Sequence, residues 1–446
     1  MWTFRRSAPT IIDTTKEERV TIDISLLLPF ENTLLVFKDT VNIFFEDYVY
    51  LPLVNILYWT LFFVPPSYYP KLPYTFEEEI ISTTPRVIFI RSKHDKQKIC
   101  LKLWQRYDEK VFKAGLVTRR ADYLLEGFEF NRRFAPGVYL GITPVKLSKD
   151  PRKILRGKLI ENPDQTKLRK GVEYALVMKR LPGVWRLDRQ LCQNIGTAEG
   201  MKFLAKEVAC MHKKLEKSLL GKGKPECIAS KLALNRQLFE EALRSLPSDH
   251  FTDNYIENYR WIGNVMDRAC NIYTPYFKQR YENGHIKRCH GDLKATNLWI
   301  RPKKRNGEEL QELIALDCVD FNPDFCHIDT LSDVAMLAID IETLLTDLSD
   351  KSPGMRFGQK LAEHFLYTYL EKAKERSEAA WSLLEYYMTE KSMVCAYVSI
   401  LYDNLPEQGK RYLDVARNHA QKLENTLKQA EKRSKVTRPL AASHSR

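Results

Sequence analysis

Asp292 and Asn297 stand five residues apart in His290-Gly291-Asp292-Leu293-Lys294-Ala295-Thr296-Asn297, and the apolar run that follows ends in Leu316-Asp317-Cys318-Val319-Asp320-Phe321. Phosphoryl transfer asks for one carboxylate to meet the proton of an attacking hydroxyl. It also asks for an amide oxygen and a second carboxylate to hold Mg²⁺ against nucleotide phosphates. This spacing supplies each of them. Asp292 is the candidate base, and Asn297 with Asp320 or Asp317 are the candidate metal ligands, so ATP and Mg²⁺ are the expected cofactors. The plainer alternative is a turn between two strands, with His290 a buried orienting histidine and the acids solvated. The asparagine at this interval and the aspartate-ended strand favour the chemical reading, in which His290 is counted with the catalytic residues.

Such a site needs a strand lysine for the phosphates. Residues 87–90 and 99–103 read as two strands around a polar turn, and Lys102 in Ile99-Cys100-Leu101-Lys102 stands where a phosphate-binding lysine would. The alternative is a solvent-facing lysine, because strands alternate faces and Lys98 is near. Residues 118–134 have helical spacing and carry Glu126 and Glu129, either of which can pair with Lys102 or remain a surface acid. The run 173–182, with Met178 and Lys179 before its closing proline, is the expected hinge against the adenine ring. No G-x-G-x-x-G precedes Lys102; Ser82-Thr83-Thr84-Pro85-Arg86 takes that place, and no A-P-E follows the aspartates. Both absences argue against an ordinary protein kinase.

Together HGDLKATN, LDCVDFNPDF and SDVAMLAIDIE resemble the aminoglycoside-phosphotransferase-like kinases, most of all an uncharacterised branch often fused to a P-loop ATPase domain. EFNRRFAPGVYLG, YALVMKRLP and KRYLDVA resemble segments of that branch in the same order, so the likeness covers roughly residues 80–430. It implies a two-lobed, protein-kinase-like α+β fold with a small β-rich N-lobe and a larger helical C-lobe. It further implies Asp292 as the catalytic aspartate and Asn297 as a Mg²⁺ ligand. Asp320 is preferred over Asp317 for the second ligand, because it better fits the distance to the following Asp329 and Asp333. Those two, four apart at a helix start, are expected to cap and buttress. Lys294 replaces a histidine common in the family and would offset charge on the transferred group. Gly127 falls where the glutamate partner of Lys102 is expected, leaving Glu126 or Glu129 to substitute. No G-x-x-x-x-G-K-[ST] occurs, and Gly221-Lys222-Gly223-Lys224-Pro225 reads as a short basic linker, so the kinase module is expected to act alone.

The resulting plan is an extension over 1–75, an N-lobe and hinge over 76–182, a helical lobe over 183–430 and a basic, disordered tail over 431–446. The catalytic loop is 290–297 and the metal segment 317–333. Helices are expected over 203–215, 379–403 and 408–430. His212 reads as a packing histidine, and Trp381, Tyr386, Tyr387 and Tyr397 as core or acceptor-pocket aromatics. The apolar stretch 48–70 is too short and too proline-broken for a comfortable span. It ranks first as packed on the body, second as a peripheral membrane contact and third as an anchor.

The chain has 446 residues, 44% of them apolar and 28% charged, enough for a two-lobed globular enzyme. Its net charge of +13 comes without a basic stripe interleaved with aromatics, so nucleic acid is not expected as a partner. Nine scattered cysteines with no C-x-x-C pair suggest reduced thiols in a cytoplasmic compartment. The expected activity moves the γ-phosphoryl of ATP to a hydroxyl of a small molecule. Its rival is a weak pseudokinase or nucleotide-binding module, motivated by the missing glycine loop and displaced glutamate. The oligomeric state is left open.

Overall fold

The computed structural model describes residues 74–81, 85–92, 97–104, 117–146, 155–218, 221–246, 253–305, 307–346 and 355–441. The apolar segment 48–70 and the turn 82–84 lie outside them. Alternating apolar residues build the first lobe. Strands β1 (Tyr74–Ile81), β2 (Pro85–Ser92), β3 (Lys98–Trp104), β4 (Tyr139–Lys146), β5 (Leu155–Arg156) and β6 (Glu173–Lys179) form one antiparallel sheet in the order β1-β2-β3-β6-β4-β5. Ile99, Leu101 and Leu103 of β3 join Ile88 and Ile90 of β2, and Val145, Ala175 and Val177, in one core. The intervening Cys100, Lys102 and Trp104 face the other way and are also buried. A one-residue slip would push Lys102 into that aliphatic core. Each buried aliphatic contributes about 1.5–3 kcal/mol, so the register is firmly set.

Helix α1 (Val117–Phe134) packs against β4 and β6. The larger lobe holds α2 (Ala198–Lys214), α3 (Glu226–Ser245), α4 (Asp253–Glu282), α5 (Thr330–Thr346), α6 (Met355–Ala373), α7 (Glu378–Leu401) and α8 (Pro406–Ala441). Short strands β7 (Ile286–Arg288) and β10 (His327–Asp329) pair beside them, and β8 (Leu298–Arg305) with β9 (Glu308–Ala315) form a hairpin. Helix α5 is buried on every side, with Leu331, Val334, Leu337, Ile339 and Ile341 inaccessible to solvent and even Asp333, Asp340 and Glu342 enclosed, which marks it as the centre of the lobe. It packs against α6 and α7. Helix α8 runs to Ala441, beyond residue 430, where the sequence suggests a tail; no glycine or proline stands between Lys410 and Arg438 to stop it.

The architecture is therefore α+β and two-lobed, a small antiparallel sheet with one helix beside a larger helical lobe. Among the described residues, no helix is long and apolar enough to cross a membrane.

Candidate active site

The loop 290–297 hangs from two carboxylates of α5. Asp333 accepts the backbone N–H of His290 at 3.1 Å and of Gly291 at 2.9 Å, and Asp340 accepts that of Ala295 at 2.6 Å. The two aspartates are seven residues apart, hence on one helix face. Between these anchors the chain is obliged to present Asp292 and Lys294 outward. His212 donates to the same Asp333 at 3.1 Å with Tyr369 at its other nitrogen, 2.7 Å away. Burial alone would raise the Asp333 carboxyl, but the His212 hydrogen bond leads the effects that hold it low. His212, Cys289 and Asp333 lie close enough to suggest a metal, yet Asp333 is committed to backbone donors. Asp329, four residues earlier, pairs with Arg280 and accepts the Leu331 N–H at 2.9 Å, capping α5 as expected.

His290 is inaccessible to solvent. Its Nε2 donates to the Leu316 carbonyl at 2.9 Å, and its Nδ1 accepts the Asp292 N–H at 3.3 Å. It orients the loop, the role of the plainer reading of this histidine, and is not among the residues that border the cavity at Asp292. Asn297 donates its amide to the carbonyl of Asp292 at 3.0 Å and to its Oδ2 at 2.9 Å. Those bonds leave the Asn297 carbonyl oxygen and the Asp292 Oδ1 for other partners. Lys294 lies 3.2 Å from the same Oδ2; burial would lower its amine, but Asp292 above all holds it raised.

Opposite, Lys102 is 9% exposed and ion-pairs with Asp317. The alternative of a solvent-facing lysine is set aside. Burial works against its charge, and Asp317 then Asp320 more than restore it. Asp317 takes a left-handed backbone, φ 66°, which its short polar side chain tolerates. Its N–H donates to the Tyr139 hydroxyl at 3.0 Å, and the Cys318 N–H donates to the Asn131 side chain at 2.9 Å. Asn131 in turn donates to the Gly127 carbonyl at 2.8 Å, so α1, β4 and the aspartate segment form one bonded unit. The Asp317 side chain is 48% exposed, at the bottom of a cleft where Lys102 outweighs the desolvation and keeps the carboxyl low.

Asp320 behaves differently. It is 5% exposed, and its Oδ2 lies 2.4 Å from where a Cβ on Gly127 would be. The space expected for a glutamate on α1 is thus filled by a carboxylate arriving from the other lobe. Burial, opposed by Lys102 and reinforced by Asp317, pushes Asp320 up to about 7. The proposed substitutes do not reach Lys102. Glu129 is exposed and pairs with Arg133, and Glu126 is exposed and 3.8 Å from Arg288. Helical phase explains this: Gly127 holds the inward face of α1, and its acidic neighbours point away.

A cavity of about 290 Å³ opens beside these groups, bordered by Lys102, Asp292, Lys294, Asp317 and Asp320. Met178 and Lys179 do not border it: Met178 is buried between β3 and β4, and Lys179 is the exposed end of β6. Of the four aromatics singled out by sequence, Tyr387 and Tyr397 border the cavity, whereas Tyr386 is core and Trp381 packs against it. Sequence reasoning passed over Asn131, Tyr139 and Asp340, each remote in the chain from the groups it holds. A polar residue flanked by apolar ones was the only signal at Tyr139 and Asp340, and Asn131, followed by Arg132, gave none.

The sheet with its lysine, the helix beside it and the aspartate loop on the helical lobe together make a protein-kinase-like fold. No family model matches the chain. It is similar to uncharacterised proteins of Mycobacterium tuberculosis (strain H37Rv) and Mycobacterium bovis, each 24% identical over 304 residues, covering 66% of this chain and 51% of the relative. The chain thus spans about half the length of the curated relatives it matches. Among solved structures it is similar to a Plasmodium vivax ethanolamine kinase, with a TM-score of 0.45 and 13% identity over 84% of this chain and 90% of that one. A Cryptosporidium parvum choline kinase gives 0.44 and 11%, covering 85% and 97%. A glucosamine kinase gives 0.36 and 13%, covering 82% and 97%.

Proposed function

We propose that the chain is an ATP-dependent phosphotransferase with a small-molecule alcohol as acceptor. The observation that carries the reading is the convergence, on one cavity, of a fixed Asp292 and of the Lys102–Asp317 pair from the other side. Asn297 and Lys294 both hold Oδ2 of Asp292, so its Oδ1 is the atom aimed at an incoming hydroxyl. In the transfer, the acceptor oxygen bonds to the γ-phosphorus, the bond from that phosphorus to the β–γ bridging oxygen breaks, and the hydroxyl proton passes to Asp292. ADP and a phosphate ester leave. Lys102 would hold the nucleotide phosphates, and Lys294 would balance charge on the moving group.

The oxygen donors suit Mg²⁺, a hard cation that binds through few protein carboxylates and keeps waters. Bound there, Mg²⁺ would neutralise phosphate charge. The Asn297 carbonyl oxygen and the half-exposed Asp317 carboxylate would hold it, in place of Asp320, which is buried beneath α1.

The test is ADP release with Mg-ATP across hydroxylated compounds, for the wild type and Asp292→Asn. Acceptor-dependent turnover should fall about 10²–10⁴-fold in the variant, the scale of lost general-base catalysis, with ATP binding retained. Binding of Mg-ATP with no acceptor-dependent release from the wild type would instead assign a nucleotide-binding module.

A further inference from the structure

The cavity continues past Asp292 between two helices. On α7, Tyr387, Lys391, Val394 and Val398 border it at spacings of four, three and four, a single helix face that leads on to Tyr402. Just beyond lies Asp403, close enough to Lys294 and Asp292 for both to act on its charge. Lys294 and Asp292 also act on Cys395, four residues after Lys391, so Lys391 lies one turn of helix, about 6 Å of rise, beyond the reacting groups.

On the opposite wall, Ile228, Lys231 and Asn235 of α3 repeat at three and four, preceded by Lys224. The Gly221-Lys222-Gly223-Lys224-Pro225 stretch is no free linker. Gly223 has φ 67°, and a Cβ there would sit 2.6 Å from the His327 carbonyl oxygen and 2.5 Å from a methyl of Ile286. Only glycine fits this approach. The turn is therefore seated on the β7–β10 pair, with Lys224 beside the cavity.

Among the described residues, no carboxylate pairs with Lys224, Lys231 or Lys391. Asp324 and Glu390 border the same end, Glu390 taking the Asn235 amide at a long 3.5 Å. Lys222 and Arg288 add positive charge from behind. His327 reports the balance: burial, then Arg288, Lys222 and Lys231, push its ring down to about 4. Lys231 is itself lowered, burial and Lys391 outweighing the pull of Glu390 and Asp324.

We infer that the acceptor is an anionic alcohol, whose phosphate or carboxylate is held by Lys224, Lys231 and Lys391 while its hydroxyl lies at Asp292. The inference rests on the phosphotransfer reading above and names its substrate class. The anionic group takes no part in the transfer; it anchors the far end of the acceptor.

The experiment uses the full chain with Mg-ATP and matched acceptors: glucose 6-phosphate, gluconate, glucose and glucosamine, then glycerol 3-phosphate, glycerol and ethanolamine. Within each set the anionic compound should exceed the neutral and cationic ones at least about tenfold in kcat/KM, and the phosphate and carboxylate arms decide between the two anions. Lys231→Met and Lys391→Met should erase that preference, a ratio that partial loss of folded protein does not move. A preference for glucosamine or ethanolamine, or an anion preference unchanged in both variants, overturns the inference and leaves phosphotransfer standing. Calorimetry with glucose 6-phosphate at saturating Mg-ADP separates the two claims. Binding lost in Lys231→Met, without turnover of any acceptor, would support the anion site while removing the phosphotransfer reading.

Discussion

Gly127 and Asp320 are the pair on which the reading of the site turns. A methyl group at 127 would meet the Asp320 carboxylate at 2.4 Å, so Gly127→Ala must move either α1 or the aspartate. Overpacking of this kind costs about 1–3 kcal/mol, and the variant should unfold at correspondingly lower urea. A variant as stable as the wild type would mean that Asp320 is free to leave. Asp317→Asn tests the other half of the argument. It removes the partner of Lys102 and the exposed carboxylate together, so the Mg²⁺ concentration for half-maximal turnover should rise far more than in Asp320→Asn. The reverse order would return the metal role to Asp320. Sequence favoured Asp320 by its distance to Asp329 and Asp333, because nothing in a one-dimensional reading marks the left-handed turn at Asp317 that brings its carboxylate to Lys102.

At the scale of elements, α5 is what makes the loop a site. Its aspartates 333 and 340 pin residues 290, 291 and 295, and the intervening stretch is left no freedom to retract. Asp333→Ala would strand the buried His290 N–H, the partly buried Gly291 N–H and His212. At roughly 1–3 kcal/mol for each unsatisfied group the loss should exceed about 3 kcal/mol, measured by urea denaturation. Asp333→Asn keeps one acceptor oxygen and should fall between the two. A neutral Asp333→Ala would show that water replaces the carboxylate and that the anchor is dispensable. The loop was legible because its chemistry is packed into eight consecutive residues, and α5 because the unbroken apolar run 334–339 marks a buried helix. The face of α1 was not: Glu126 and Glu129 bracket the inward position, and only the packed structure shows that neither points to Lys102. The lysines of the acceptor end were equally hidden, since Lys224, Lys231 and Lys391 come together only when α3 folds against α7.

Over the whole molecule, the charge of +13 forecasts neither the acceptor nor the stability; individual buried groups decide both. Helices α5, α7 and α8 are joined at His419, whose Nδ1 is 2.6 Å from Glu385 and whose Nε2 is 3.0 Å from Glu342. With a carboxylate at each nitrogen the ring is held as imidazolium. Burial resists that charge, but the Glu342 and Glu385 bonds prevail and raise the ring to about 9. The lowered Glu385 is the same interaction seen from its other partner. An unfolded histidine titrates near 6.5. This cluster therefore stabilises fully below about pH 6.5 and loses its contribution as pH climbs through about 9, a loss on the order of 3 kcal/mol. His327 governs the opposite limb. Its ring, pushed down to about 4, stays neutral in the fold, so stability falls as pH drops from about 6.5 towards 4. Urea midpoints from pH 4 to 10 should peak near pH 6.5, fall on both sides, and level off above about 9. His419→Gln should flatten the alkaline decline and leave the acid one, His327→Gln the reverse. A wild-type midpoint unchanged between pH 7 and 10 would mean that the helical lobe does not depend on the imidazolium at its centre.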